Sequence, residues 1–249
     1  MDSLTKMRIL LLCTVLAFAC HITAQEVNLE ITSDLSSHAQ IDSVLVSDVK
    51  FKNPKFDNPH AGSGFLLEHK GKLYACTAKH VLFFAKTDSM KTISFDDELK
   101  SWEFVSKKNK KNKVLAGKLI NEDKQEAIVM PPKGDWLVFE VEGEIRQGIQ
   151  IYSLREEPLS EGEKVRFLGY PYNTTRPVNV TGSFIGYTKE GNLSLDVPKG
   201  NYGGCSGGPV LDTQGRVVGL VSMGYFNQKE NKMVFEPASI KYFQTIINN

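Results

Sequence analysis

The stretch Gly203-Gly204-Cys205-Ser206-Gly207-Gly208-Pro209 has the composition of a nucleophile loop. A serine that attacks a carbonyl needs an exposed hydroxyl, with N–H groups converging where negative charge develops. Glycine two residues before the serine lets the backbone turn without a Cβ clash. On this reading Ser206 is the nucleophile, and the N–H groups of Gly204 and Ser206 form its oxyanion hole. The competing reading is a glycine-rich β-turn that happens to carry a serine. A serine also needs a base, normally a histidine oriented by a carboxylate. Beyond residue 24 the histidines are His38, His60, His69 and His80, and all precede Ser206. That order excludes the Ser…Asp…His arrangement of the α/β-hydrolases. His80 directly follows a strand-like run, whereas His69 sits in a polar turn and His38 and His60 in polar, loop-like stretches. His80 is therefore the candidate base. Asp135 opens the apolar run Trp136-Leu137-Val138-Phe139, where a near-buried carboxylate could hold the imidazole tautomer. Asp96, Asp97 and Asp123 lie in polar sequence and fit that role less well.

The elements that must position these groups read as short strands. Gly64–Glu68 and Leu73–Thr77 flank His69-Lys70-Gly71-Lys72 as a hairpin. Further strand-like runs occupy 136–141, 165–170, 183–187, 193–197, 208–212 and 217–222, with the turn Thr213-Gln214-Gly215-Arg216 before the last. Ile240, Phe243 and Ile247 have the i, i+3, i+7 spacing of one terminal helix. Many short strands punctuated by Gly, Pro and Asn predict an all-β barrel or sandwich. A boundary between two small barrels is expected between Glu142 and Glu163. The lysine-rich tract 107–113 lacks interleaved aromatics and is expected to be a solvated hairpin tip.

Composition excludes other classes. Of 249 residues, 41% are hydrophobic and 24% charged, which speaks for a globular chain and against disorder. The N-terminus reads as a signal peptide, residues 1–24: Lys6 and Arg8 precede the apolar run Ile9–Ala19, too short for a membrane span, and Ala24 precedes the expected cleavage point. A lipoprotein signal ending at Cys20 is the lesser alternative. The expected destination is periplasmic or secreted, with no membrane span. Without Asp2, Lys6 and Arg8, the 30 basic and 29 acidic side chains become 28 of each, so charge gives no reason to expect a nucleic-acid partner. Only Cys76 and Cys205 remain, which is no disulfide framework and no zinc or redox motif.

GSGFLL at 62–67, TAKHV at 77–81, GDWLVF at 134–139, GGCSGGPV at 203–210 and GLVSMG at 219–224, in that order, resemble the chymotrypsin/trypsin-like serine peptidases, particularly their compact bacterial branch. The resemblance implies two six-stranded antiparallel β-barrels with the active site in the cleft between them. Barrel one would span about 40–142, barrel two about 163–235, and the C-terminal helix about 238–247, within one peptidase domain from residue 25 to 249. It assigns His80 as general base, Asp135 as its orienter and Ser206 as nucleophile, and puts Ser222 near the aspartate. Ser222, Met223 and Gly224 would pair with the substrate backbone as an added strand. Gly200 stands where trypsin-type enzymes carry an acid, and Val221 where glutamate-preferring relatives carry histidine. An uncharged side chain before the cleaved bond is the specificity these two positions leave. Two departures matter: Cys205 occupies the place of the zymogen-activation aspartate, and Val81 follows His80, so the disulfide flanking the histidine is missing. Cys205 also opens two lesser readings, a disulfide with Cys76 and a cysteine nucleophile one position out of frame. The implied function is an exported serine endopeptidase acting on polypeptides without cofactor or metal. The alternatives are a catalytically inactive peptide-binding relative, which usually lacks a triad member, and an esterase using the same triad.

Overall fold

The computed structural model describes residues 42–130 and 133–248. The segment read as a signal peptide, Cys20 and His38 lie outside the described residues. In the first half run β1 (Leu45–Phe51), β2 (Ser63–His69), β3 (Lys72–Thr77), β4 (Thr92–Ile93), β5 (Leu99–Val105), β6 (Lys113–Leu119), β7 (Asp123–Ala127) and β8 (Leu137–Glu142). There follow β9 (Ile151–Ser153), β10 (Lys164–Gly169), β11 (Val178–Tyr187), β12 (Leu193–Asp196), β13 (Pro209–Leu211), β14 (Val217–Asn227) and β15 (Lys232–Ser239). Helix α1 (Ile240–Asn248) closes the chain. No helix among the described residues is long and apolar enough to cross a membrane.

The first sheet runs β1-β5-β6-β8-β3-β2 and closes on itself, because β1 also pairs with β2 at Leu45↔Gly64 and Val46↔Ser63. These are the six antiparallel strands expected of the first barrel, and β9 adds a further strand beside them, parallel to β2 from Leu66↔Ile151 to Glu68↔Ser153. The connection between the barrels thus lends a strand to the first. The second sheet has the order β12-β11-β10-β13-β14-β15; its edge strands β12 and β15 approach each other without a hydrogen-bonded ladder. The mostly β fold of two barrel-like sheets and one C-terminal helix is the chymotrypsin-like architecture. The expected hairpin between β2 and β3 turns on Lys70 (φ 51°) and Gly71 (φ 76°), the pair of positive values a two-residue type I′ turn requires.

Strand alternation builds each core. In β5, Trp102 and Phe104 point inward, and Phe139 of β8 meets them at centroid distances of 5.1 and 6.1 Å. In barrel two Phe167 stacks on Phe235 at 4.7 Å. Burying each such ring stabilises by about 1.5–3 kcal/mol. Helix α1 packs back onto barrel one: Phe243 lies 5.3 Å from Tyr74 and 5.6 Å from Trp136. The Trp136 indole N–H donates to the Ser239 carbonyl at 3.1 Å, so the residue following Asp135 is fixed from the far end of the chain. The lysine tract does form the β5–β6 tip, but not a wholly solvated one. Lys107 is half-buried, donates to the Thr174 carbonyl at 3.0 Å and covers the Tyr170 ring at 5.3 Å. It reaches across the cleft to the other barrel.

A charged cluster ties the connecting segment to barrel two. Arg155 grips both oxygens of Glu163 and lies 3.6 Å from buried Asp212, whose other cationic partner is Arg216, with Nε at 2.9 Å. The Arg155 hydrogen bond holds the Glu163 carboxyl below its ordinary value of 4.5. A depressed carboxyl stabilises the fold above its unfolded pKa, and the contribution is lost as pH falls through the lower folded value. Replacing Glu163 with Gln should therefore cost about 1 kcal/mol at pH 7. The gap between thermal melts of wild type and variant should narrow progressively as the pH falls below the unfolded carboxyl value and toward the lower folded one, and a gap that does not narrow at all on acidification would contradict the assignment.

Candidate active site

Three side chains from separate parts of the sequence meet in the cleft. His80 stands in a short 3-10 turn, Lys79–Phe83, directly after β3, and Asp135 precedes β8. The His80 backbone N–H donates to Asp135 Oδ1 at 2.8 Å, and His80 Nδ1 lies 2.6 Å from Oδ2. A carboxylate accepts only, so the hydrogen-bond pattern assigns the imidazole hydrogen to Nδ1 and leaves Nε2 as an acceptor. Nε2 faces Ser206 Oγ at 2.8 Å. Ser222 donates a third, short hydrogen bond to Asp135 Oδ2. Asp135 is 2% exposed, so these donors replace the water its charge has lost.

A neighbouring contact, not singled out in the sequence, steadies the same pair. Lys79 is buried, and its Nζ donates to Glu126 Oε1 at 2.7 Å and to the Lys133 carbonyl at 3.2 Å. The residue before the histidine thus anchors the segment that leads into the aspartate. A lysine beside a catalytic-type histidine carries no periodicity, and its partners are set only by the folded loops.

The nucleophile loop begins with a tight turn in which the Cys205 N–H donates to the Tyr202 carbonyl at 2.9 Å. Gly204 occupies its third position with φ +97°, the sign a type II turn demands there. A Cβ at Gly204 would stand 2.7 Å from both the Tyr170 oxygen and the Tyr172 nitrogen, so only glycine fits. The Gly203 carbonyl is held by the Tyr172 N–H at 3.0 Å and the Cys205 carbonyl by the Gly208 N–H at 2.8 Å. Each of these bonds fixes the peptide plane carrying the next N–H. Among the described residues the N–H groups of Gly204 and Ser206 have no acceptor. They are the two donors expected of an oxyanion hole.

Beside Ser206 opens a cavity of about 390 Å³. Gly200, Val221, Ser222 and Gly224 are among its lining residues, and Met223 is not. Its remaining walls, including Tyr202, Phe226, Met233 and Phe235, come largely from the β14–β15 hairpin, and no charged side chain contributes. Those residues were missed because a pocket wall is defined by a hairpin's bend over the nucleophile, not by a motif.

Both cysteines are buried and free, which corrects the Cys76–Cys205 disulfide held open above. Cys205 turns into the protein, where its side chain packs on Gly169, and burial pushes its thiol up to about 12. A neutral, inward thiol cannot serve as the nucleophile at ordinary pH. Among the other histidines, His69 packs edge-on to Phe243. His60 packs edge-on to Tyr172 at 5.0 Å, and burial, with Lys107 nearby, pushes it down to about 4. Among the described residues no cluster of three or more His, Cys, Asp or Glu side chains could hold a metal.

Comparison with known proteins gives a consistent picture. Residues 62–220 match the family model described as a trypsin-like peptidase domain. No curated protein matches the chain by sequence. The crystal structure of the serine endoprotease from Yersinia pestis aligns with a TM-score of 0.55 at 16% identity, over 84% of this chain and 63% of that one. This chain therefore spans less than two thirds of that protein's length, and the likeness is one of fold. The thiol environment makes a direct prediction. At pH 8, N-ethylmaleimide should leave Cys76 and Cys205 unmodified in the folded protein and alkylate both in guanidinium, read by peptide mass spectrometry; rapid native labelling of Cys205 would contradict its placement.

Proposed function

The chain belongs to the trypsin-like peptidase domain family, and from that membership we propose that it is an exported serine endopeptidase that cleaves polypeptides through an acyl-enzyme. The observation that carries the reading is the hydrogen-bonded chain from Asp135 through His80 to Ser206, with steps of 2.6 and 2.8 Å, beside two N–H groups with no acceptor among the described residues. In the proposed cycle Ser206 Oγ attacks the scissile carbonyl as His80 Nε2 takes its proton. The carbonyl oxygen becomes an oxyanion between the N–H groups of Gly204 and Ser206. Each such donor is worth about 10²–10³ in rate. Asp135 stabilises the imidazolium, and Ser222 keeps Asp135 in register. The imidazolium then gives its proton to the leaving amine as the C–N bond breaks, leaving the acyl group on Ser206. Water, deprotonated by His80, attacks the ester. Collapse releases the acid and returns the proton to Ser206.

Substrate specificity follows from the cavity. Ser222, Met223 and Gly224 lie at the open side of β14, where an extended peptide would add as a strand. The side chain before the cleaved bond would enter a partly aromatic pocket whose lining, with Phe235 and Met233 among it, holds no charged residue, which favours a medium-sized apolar residue over Arg or Lys. Export rests on Lys6, Arg8 and the Ile9–Ala19 run, with a periplasmic or secreted destination.

A fluorophosphonate probe should label the wild type and not the Ser206→Ala variant. Asp135→Asn should reduce kcat by about 10⁴-fold while leaving the fold intact, because it reverses the tautomer preference of His80. Cleavage of a peptide library should show apolar residues before the scissile bond. A correctly folded wild type that the probe does not label would sink the enzymatic reading.

A further inference from the structure

We propose that the Ser63 hydroxyl is a positioning group for the oxyanion hole, holding the turn that presents the Gly204 and Ser206 N–H donors. This inference rests on the function proposed above and deepens it. Ser63 belongs to the other barrel, at the first position of β2, and is fully buried. It touches the nucleophile loop twice. Its backbone N–H donates to the Ser206 carbonyl at 2.7 Å, and its Oγ donates to the Gly204 carbonyl at 2.9 Å. The same Oγ accepts from the Tyr170 N–H at 2.9 Å. One hydroxyl therefore joins two separate segments of barrel two.

Those two segments are the ones whose relative placement forms the hole. The Gly204 N–H shares a peptide plane with the Gly203 carbonyl, and that carbonyl is held by the Tyr172 N–H at 3.0 Å. Tyr172 lies two residues beyond Tyr170, which Ser63 grips. Gly204 itself has the least restricted backbone of any residue type. A type II turn converts to type I by rotation of its central peptide, which would carry φ of Gly204 from +97° to a negative value. That rotation turns the Gly204 N–H away from the hole. The bond to the Gly204 carbonyl holds one side of the turn, and the bond from Tyr170 keeps the Tyr172 donor in place on the other. The Gly203 N–H also donates to Asn201 Oδ1 at 3.2 Å, a contact local to the turn, and the remaining bonds are backbone to backbone. Ser63 Oγ is the side chain that ties the turn to the Tyr170–Tyr172 segment and to the other barrel, and a substitution removes that tie.

The test separates positioning from stability. In Ser63→Ala, kcat should fall roughly 10- to 100-fold, less than for loss of a direct donor, with KM nearly unchanged. Affinity for a peptide aldehyde, whose tetrahedral adduct fills the hole, should weaken by a similar factor. The matching peptide alcohol, which forms no adduct, should bind as to wild type. Ser94→Ala is the control for stability, because the buried Ser94 hydroxyl donates to Glu122 Oε1 at 2.6 Å and makes no hydrogen bond to the nucleophile loop; it should keep wild-type kcat even if it melts earlier. If Ser63→Ala does not accumulate folded, Ser63→Cys, with a weaker donor, should show a smaller loss in kcat than an alanine would and the same selective loss of aldehyde affinity. Wild-type kcat and aldehyde affinity in the folded variant, or equal weakening of aldehyde and alcohol, would overturn the inference alone. An inert wild type would overturn the function on which it rests.

Discussion

Burial of the Asp135 charge is the constraint on which the rest of the site depends. A carboxylate that is 2% exposed costs several kcal/mol unless each lone pair it turns inward finds a donor. Its three donors are the His80 N–H, the His80 ring and the Ser222 hydroxyl. Two come from barrel one and the third from β14 of barrel two. Satisfying this charge therefore requires both barrels to be seated, and the same seating puts the imidazole in line with Ser206. Folding stability and assembly of the site are linked through one buried group.

The seam between the barrels is built to a matching tolerance. At Gly207, φ is +85°, and a Cβ there would come within 2.2 Å of Thr77 Oγ1 and 2.3 Å of the Ser63 oxygen. The nucleophile loop thus rests directly on barrel one, against the Thr77 hydroxyl and the Ser63 backbone, with no room for a side chain of its own at this point. Lys107 from the β5–β6 tip and Trp136 against Ser239 fasten the seam at two further places. A rigid approach of this kind matters because a reacting geometry is sensitive to displacements of about 1 Å.

How much of this was legible in the sequence depends on whether a feature is local. The Ser206 loop, the strand leading to His80 and the apolar run after Asp135 are each encoded by neighbours in the chain, and these three residues do come together. The hairpin at Lys70-Gly71 and helix α1 are local in the same sense. In β5 the alternation of Trp102 and Phe104 with Ser101 and Glu103 has the strand period, though charged residues dilute it. The three-residue β9 is too short for any period, and its parallel pairing with β2 is a tertiary event. Lys79, His60 and the aromatic pocket wall owe their positions to contacts far along the chain. Ser63 lay inside a quoted motif, yet nothing in GSGFLL says where its hydroxyl points.

Cys205 bears on how the loop is kept ready. The family resemblance places an activation aspartate at this position, and an aspartate there needs a cationic partner to be tolerated. Removing such a pair from water carries a desolvation cost that offsets much of its attraction. Here the side chain is a neutral thiol packed on Gly169, with no charge to satisfy. The loop is instead held by neutral hydrogen bonds: Tyr172 to Gly203, Gly208 to Cys205, and Ser63 to both Gly204 and Ser206. None of these bonds titrates, and none waits for a newly freed chain end. The arrangement exchanges a switchable ion pair for a fixed cage, so the turn at Gly203 and Gly204 is set as the barrels fold.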